Sequence, residues 1–297
     1  MAHRSARRYP CLYTPALLRF EQAPEERPMP TDLLRTANLR LELDGAVATL
    51  TLARPARLNA MSPGLVDDLH GCLDVLGRTR SARVVILTGE GRGFCAGLDL
   101  QEYGNWTITE GLDSVEGGLA VQVRIASLMP RIREARQPFV AAVNGAATGG
   151  GLALALACDV RYAAPTARFS VAFVKLGLSG CDVGVSYLLP RVVGSGHAYE
   201  MSLTGRLIAA DEAMRIGLVN RVVPAEDLLP SCRVLADEIC ANTDYAVSMT
   251  KQVLGVNIDA PTLRTAIELE NRTQVLGTHA ASTRALMMNW KAAAARK

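Results

Sequence analysis

The sequence predicts an α/β protein whose last third is mostly helical, and three observations predict it. From Leu39 to about Val185, short apolar runs of strand length alternate with longer runs at helical spacing. A strand, tight turn and strand open that alternation. Beyond Val185 the strand signals thin out and helical spacing takes over. The chain has 297 residues, enough for one large core, and its 49% hydrophobic and 21% charged residues place it among globular chains.

Taken in order, residues 1–37 differ from the rest. They hold six Arg and five Pro without a clear period, and read as a disordered N-terminal extension or an upstream start codon. Glu21, Glu25, Glu26 and the prolines argue against a transit peptide. LRLELDGAVATLTL then alternates apolar and polar residues around Asp44-Gly45, which predicts a hairpin. Leu65, Leu69, Cys72, Leu73 and Leu76 recur at helical spacing after Ser62-Pro63, and VVILTG reads as a buried strand. A helix over 119–133, a strand over 138–145, a helix over 150–158 and strands over 160–163 and 168–171 continue the pattern. Between them, 102–118 is rich in glycine and polar residues and reads as the most mobile internal loop. Helices are expected over 195–204, 211–216, 226–241, 244–255 and 261–290. The expected organisation is an extension (1–37), an α/β core (38–240) and a helical region (241–297).

Composition excludes several function classes. Lys and Arg total 32 against 29 Asp and Glu, they are scattered, and aromatic residues reach only 5%, so neither a basic stripe nor a stacking platform for nucleic acid is present. No run of eighteen apolar residues occurs, which excludes a membrane span. Seven cysteines (Cys11, Cys72, Cys95, Cys158, Cys181, Cys232, Cys240) form no CxxC pair, which fits packed thiols in a reducing, cytoplasmic compartment. His3, His70 and His279 have no metal-ligand spacing, and no metal or separate cofactor is expected. His197, at a helix start, reads as a surface or capping residue.

Two segments share one design: an apolar strand, a turn dense in glycine, and a helix start. They are RGFCAGLDL (92–100) and NGAATGGG (144–151). Glycine lets backbone approach a ligand closely, and the first amides of a helix have no internal partner. Two such amides converging on one point make an oxyanion hole, to which a helix starting at Gly150 adds its positive end. The competing reading is that the triple glycine only permits close helix packing. The spacing fits neither GxGxxG nor GxxxxGK[ST], which disfavours a dinucleotide or phosphate loop.

Four ordered motifs, RPARLNAMS (54–62), GEGRGFCAGLDL (89–100), PFVAAVNGAATGGGLALALACDVRYAA (138–164) and LTGRLIAADEAMRIGLVNRVVP (203–224), resemble the crotonase family, the enoyl-CoA hydratase/isomerase superfamily. The resemblance runs from about Leu39 to the C-terminus. It implies a crotonase-like spiral core of ββα turns, a helical C-terminal trimerisation region giving a homotrimer or hexamer, and an acyl-CoA thioester as ligand, with coenzyme A part of the substrate. It also implies that the amides of Leu98 and Gly150 bind the thioester carbonyl. Ala60, Ala96 and Leu100 would line the coenzyme A pocket, and Arg57 or a neighbouring subunit's Lys291 would meet phosphates.

The family's hydratases use two glutamates to position water and protonate carbon. By resemblance those places are Ala153 and Phe173 here, and neither side chain carries a proton. One carboxylate remains well placed by the same comparison. Asp182, in GLSGCDVG, resembles the aspartate that acts as base or nucleophile in family members that isomerise dienoyl thioesters or displace halide. An N-cap before a helix over 183–189 is the competing reading. Cys95, beside the oxyanion turn, reads as a packed thiol. The expectation is an acyl-CoA enzyme with isomerase-type proton transfer by Asp182, and Phe173 as an apolar wall. Hydration by Asp182 with Asp113 or Glu116, and non-catalytic thioester binding, are the alternatives.

Overall fold

Two sheets share the chain in turn, and this alternation organises the computed structural model, which describes residues 30–102 and 104–294. The first elements are β1 (Thr31–Arg35), β2 (Leu39–Asp44), β3 (Val47–Leu52), α1 (Pro63–Arg78), β4 (Val84–Gly89), β5 (Gly93–Cys95), α2 (Ser114–Ala126) and α3 (Leu128–Glu134). They are followed by β6 (Phe139–Val143), β7 (Ala146–Thr148), α4 (Gly150–Ala157), β8 (Val160–Ala163), β9 (Arg168–Ser170), α5 (Val185–Val193) and α6 (Ser195–Thr204). The chain closes with β10 (Ile208–Ala209), α7 (Ala210–Arg215), β11 (Arg221–Val222), α8 (Leu228–Cys240), α9 (Asp244–Asn257), α10 (Leu263–His279) and α11 (Ala281–Ala294).

The large sheet has the order β1-β2-β3-β4-β6-β8-β11 and the small one β10-β9-β7-β5. The pairs β4–β5, β6–β7 and β8–β9 each place their first strand in the large sheet and their second in the small sheet. Helices α2 and α3, α4, and α5 follow them, so each ββα unit advances both sheets by one parallel strand. This is the crotonase-like spiral.

Strand alternation sorts the core into two layers. Val84, Ile86, Val140 and Ala142 face Leu228, Cys232 and Ala236 of α8, whereas Val85, Leu87, Phe139, Ala141 and Val143 face the main core. All six residues of β4 are buried because both its faces are covered. Helix α4, GGLALALA, is buried on every side, which is why it is apolar all round.

Four expectations are corrected. The extension was expected to reach residue 37, but Thr31–Arg35 pair antiparallel with β2 as the edge strand, because Thr31-Asp32-Leu33-Leu34 supplies apolar residues to the core; residues 1–29, with Cys11 and His3, lie outside the described residues. The single helix over 119–133 is two, parted at Ser127, because Pro130 has no N–H for the Ala126 carbonyl and its ring crowds that turn. The helix over 261–290 is also two, parted at Ala280, whose backbone is extended (ψ 134°). Helix α5 begins at Val185, not 183, since Val183 and Gly184 both have positive φ.

Candidate active site

Parallel pairing of β5 with β7, through Gly93 opposite Ala146 and Cys95 opposite Ala147, makes the turns leaving both strands emerge at one sheet edge. Thr148 Oγ1 donates to the Ala96 carbonyl at 2.8 Å and ties the turns together. Gly97 has φ +95°, and a Cβ there would sit 2.8 Å from the Thr148 carbonyl and 3.6 Å from the Gly150 nitrogen. Residue 97 therefore has to be glycine, and the two turns touch.

Met61 bridges the first turn. Its N–H donates to the Gly97 carbonyl (2.7 Å) and its carbonyl accepts from the Asp99 N–H (3.0 Å), which leaves the Leu98 N–H between them. Among the described residues neither the Leu98 nor the Gly150 N–H has a hydrogen-bond acceptor. Gly150 is the first residue of α4, so its amide carries the positive end of the helix. Two unpaired amides side by side can polarise one carbonyl oxygen. Close packing bears on the triplet as well: a Cβ on Gly151 would lie 1.9 Å from the Cys95 carbonyl, and one on Gly150 2.9 Å from Sδ of Met61.

The first turn is braced from 54–61, whose chain takes left-handed φ at Leu58 (50°) and Asn59 (56°). Buried Asn59 donates through Nδ2 to the carbonyls of Glu90 (3.0 Å) and Gly93 (2.7 Å), and its Oδ1 accepts from the Arg54 N–H. Asp99, 2% exposed, accepts from Arg57 Nη2 (2.7 Å), Arg54 Nη1 (3.0 Å) and the Gln101 N–H (3.1 Å). The hydrogen bond from Arg57 holds its carboxyl below the ordinary value, with Arg54 and the amide adding to the effect and burial opposing it. Arg54 also reaches the Ala60 carbonyl (2.5 Å) and Glu102. Asn59 and Asp99 are legible in the motifs only as letters; their bracing role needs partners 31 to 45 residues away.

The expected pocket residues gather around this turn to different degrees. Ala60 is buried beside Met61, and the Ala96 N–H is held by the Leu58 carbonyl (3.0 Å). Leu100 is exposed beyond it. Arg57 is pinned to Asp99 with its guanidinium partly open to solvent.

Ala153 lies one turn into α4 and is fully buried. Phe173 opens the 3-10 turn Phe173–Leu176, and its ring lies 3.4 Å from where a Cβ of Gly149 would be, against the second turn. Asp182 is half-buried. Its Oδ1 accepts from the Val183 N–H (2.7 Å) and from Gln122 Nε2 of α2. The cap of α5 is Gly184, with no side-chain hydrogen bond; Asp182 contributes only its backbone carbonyl, to the Val185 N–H (2.8 Å). The capping alternative is therefore not how this carboxylate is used. Gln122 carried no signal in the sequence, since it is one polar residue on an exposed helix face until α2 meets the 177–184 loop.

Other candidates are occupied elsewhere. Asp113 caps α2, its Oδ1 accepting from the Val115 and Glu116 N–H groups at 2.8 Å each. Cys95 is fully buried, and burial pushes its thiol up to about 12. His197 is exposed, 3.9 Å from Glu200. His70 is buried between Arg131 (2.7 Å to Nδ1) and the Arg124 carbonyl (2.9 Å to Nε2). Among the described residues no helix is long and apolar enough to cross a membrane.

The family model described as enoyl-CoA hydratase/isomerase matches residues 42–291. The chain is 40% identical over 229 residues to a protein of Mycobacterium bovis named probable enoyl-CoA hydratase, covering 77% of this chain and 80% of that one. It is 35% identical over 242 residues to the 1,2-epoxyphenylacetyl-CoA isomerase of Escherichia coli, covering 82% and 90%. A crystal structure of a monofunctional enoyl-CoA isomerase from Mycobacterium smegmatis superposes with a TM-score of 0.66 at 39% identity, covering 78% of this chain and 99% of that one.

Proposed function

Since the chain belongs to the enoyl-CoA hydratase/isomerase family and is an enzyme of it, we propose that it moves a proton on an acyl-CoA thioester by isomerase-type chemistry. The Leu98 and Gly150 amides receive the thioester oxygen, and coenzyme A enters as part of the substrate, with no separate cofactor. Asp182 removes a proton from the acyl chain, the electron pair passes into the thioester to give an enolate held by the two amides, and the same carboxyl returns a proton at another carbon. Arg57, Ala60, Ala96 and Leu100 flank the coenzyme A moiety, and Phe173 walls the acyl group.

One observation carries this reading: Ala153 and Phe173 put apolar, buried side chains where the hydratases of the resemblance have their proton carriers. Water addition needs a base for water and an acid for carbon, whereas a proton shuttle needs one carboxylate. Asp113, one of the two partners that hydration could have used, is committed to capping α2, and Glu116 lies exposed in the first turn of that helix. The test is deuterium exchange into a bound acyl-CoA. Asp182→Asn keeps shape but accepts no proton, so exchange falls by about a hundred- to ten-thousandfold while thioester affinity stays within a few fold. Rapid crotonyl-CoA hydration that persists in Asp182→Asn sinks the reading.

The C-terminal helices support a closed homotrimer or a hexamer. Leu254, Leu263, Val275, Leu276, Met288 and Trp290 on α9, α10 and α11 are all more than half exposed in the single chain, apolar surface that contacts between subunits would cover. Sedimentation at micromolar concentration gives a trimer or its double; a stable monomer contradicts the assembly.

A further inference from the structure

We infer that Gln122 is a positioning residue that makes Oδ2 of Asp182 the proton-carrying oxygen; the inference rests on the assignment of Asp182 as the acid/base. Both donors that reach the carboxylate, Gln122 Nε2 and the Val183 N–H, bind Oδ1. Among the described residues Oδ2 has no donor. A free carboxylate turns about its last bond and exchanges its two oxygens; two donors on one oxygen stop that turning and aim the other.

The backbone shows the same bias toward a fixed geometry. Val183 is held at φ +38°, a region that β-branched residues rarely adopt, and its N–H points back to the carboxylate that precedes it. Gly184 follows at φ +84°, and a Cβ there would sit 3.9 Å from Cβ of Met129 on α3. Asp182 is thus fastened to α2 through Gln122, while the turn that follows it rests against α3. Gln122 is itself exposed and adds nothing to the core, so its hydrogen bond to Asp182 is its visible contribution.

Gln122 touches no reacting atom and acts only through Asp182. Gln122→Met keeps length and removes the donor. Proton exchange from the bound acyl-CoA then slows by about tenfold, the rate equivalent of one hydrogen bond to a charged group. KM stays within about twofold, because the amides that hold the thioester are untouched. The decisive measurement is the double variant. In Asp182→Asn, Gln122→Met has no further effect on exchange, since the residue it positions no longer accepts a proton. Exchange in Gln122→Met equal to that of the unmodified enzyme overturns the inference, as does a rise in KM that accounts for the whole loss. If Asp182→Asn itself keeps full exchange, the acid/base assignment falls; if only Gln122→Met is silent, that assignment stands and the positioning role alone falls.

Discussion

The two halves of the candidate site are built from different material. The proposed oxyanion half is backbone: the Leu98 and Gly150 amides are placed by parallel pairing of β5 with β7, by Met61 and by the buried Asp99 cluster. The proposed proton-transfer half is a side chain on a loop, with Asp182 held by one exposed glutamine and one strained turn. The first half cannot change without disturbing the small sheet and a buried charge cluster. The second rests on a few contacts of one loop and can change by substituting a few residues. One fold can therefore keep the thioester and vary what is done to it.

Replacement at the backbone half tests this contrast most severely. Leu98→Pro deletes one donor amide and is expected to cost about a hundred- to thousandfold in rate, whereas Leu98→Ala, which keeps the amide, has a small effect. The measurement is turnover of an acyl-CoA, with circular dichroism to confirm folding. A folded Leu98→Pro enzyme with full turnover removes Leu98 from the oxyanion hole.

A smaller effect separates the halves by stability. Asp99→Asn leaves Arg54 and Arg57 without their buried counter-charge, at a cost of about 2–3 kcal/mol, the lower range because Arg57 is partly solvated. Urea denaturation should show that loss together with reduced activity. Asp182→Asn should reduce activity with an unchanged urea midpoint. Equal midpoints for both variants would mean that the Asp99 cluster does not brace the first turn.

The smallest effect concerns the packing of α2 and α3, which carry Gln122 and the support under Gly184. Burial pushes His70 of α1 below its ordinary value, partly opposed by the Arg124 carbonyl; Arg124 and Arg131 lower it further and Asp67 raises it. As pH falls, the unfolded chain binds this proton before the folded one, so stability is lost below the ordinary histidine range and is present above it. Between about pH 7.5 and about pH 5.5 the urea midpoint should fall more in the unmodified protein than in His70→Gln. Identical slopes would show that His70 does not couple α1 to α2 and α3 through protonation.

Local chemistry made much of the fold legible. The Asp44-Gly45 hairpin, the buried strand Val84–Gly89 and the all-apolar helix Gly150–Ala157 follow from periodicity, because each period has one way to bury its apolar residues. The two glycine turns were readable as a pair for the same reason. Element breaks were less legible: the parting of α2 from α3 depends on where Pro130 falls within a helix, and β1 depends on an open sheet edge beside β2.

By itself the sequence determined the class of fold, the apolar faces, the two turns, the apolar side chains at 153 and 173, and the carboxylate at 182. Only the tertiary structure decided what those residues touch. That β5 and β7 are parallel neighbours, and so bring the Leu98 and Gly150 amides together, is a property of strand order that no local pattern encodes. That Asp182 is gripped on one oxygen by Gln122, 60 residues earlier, is a property of how α2 lies on the loop before α5. Hydrophobic periodicity is written residue by residue and survives in one dimension. Hydrogen bonds between distant side chains exist only after the sheets have stacked, because their partners are chosen by position in space and not by spacing along the chain.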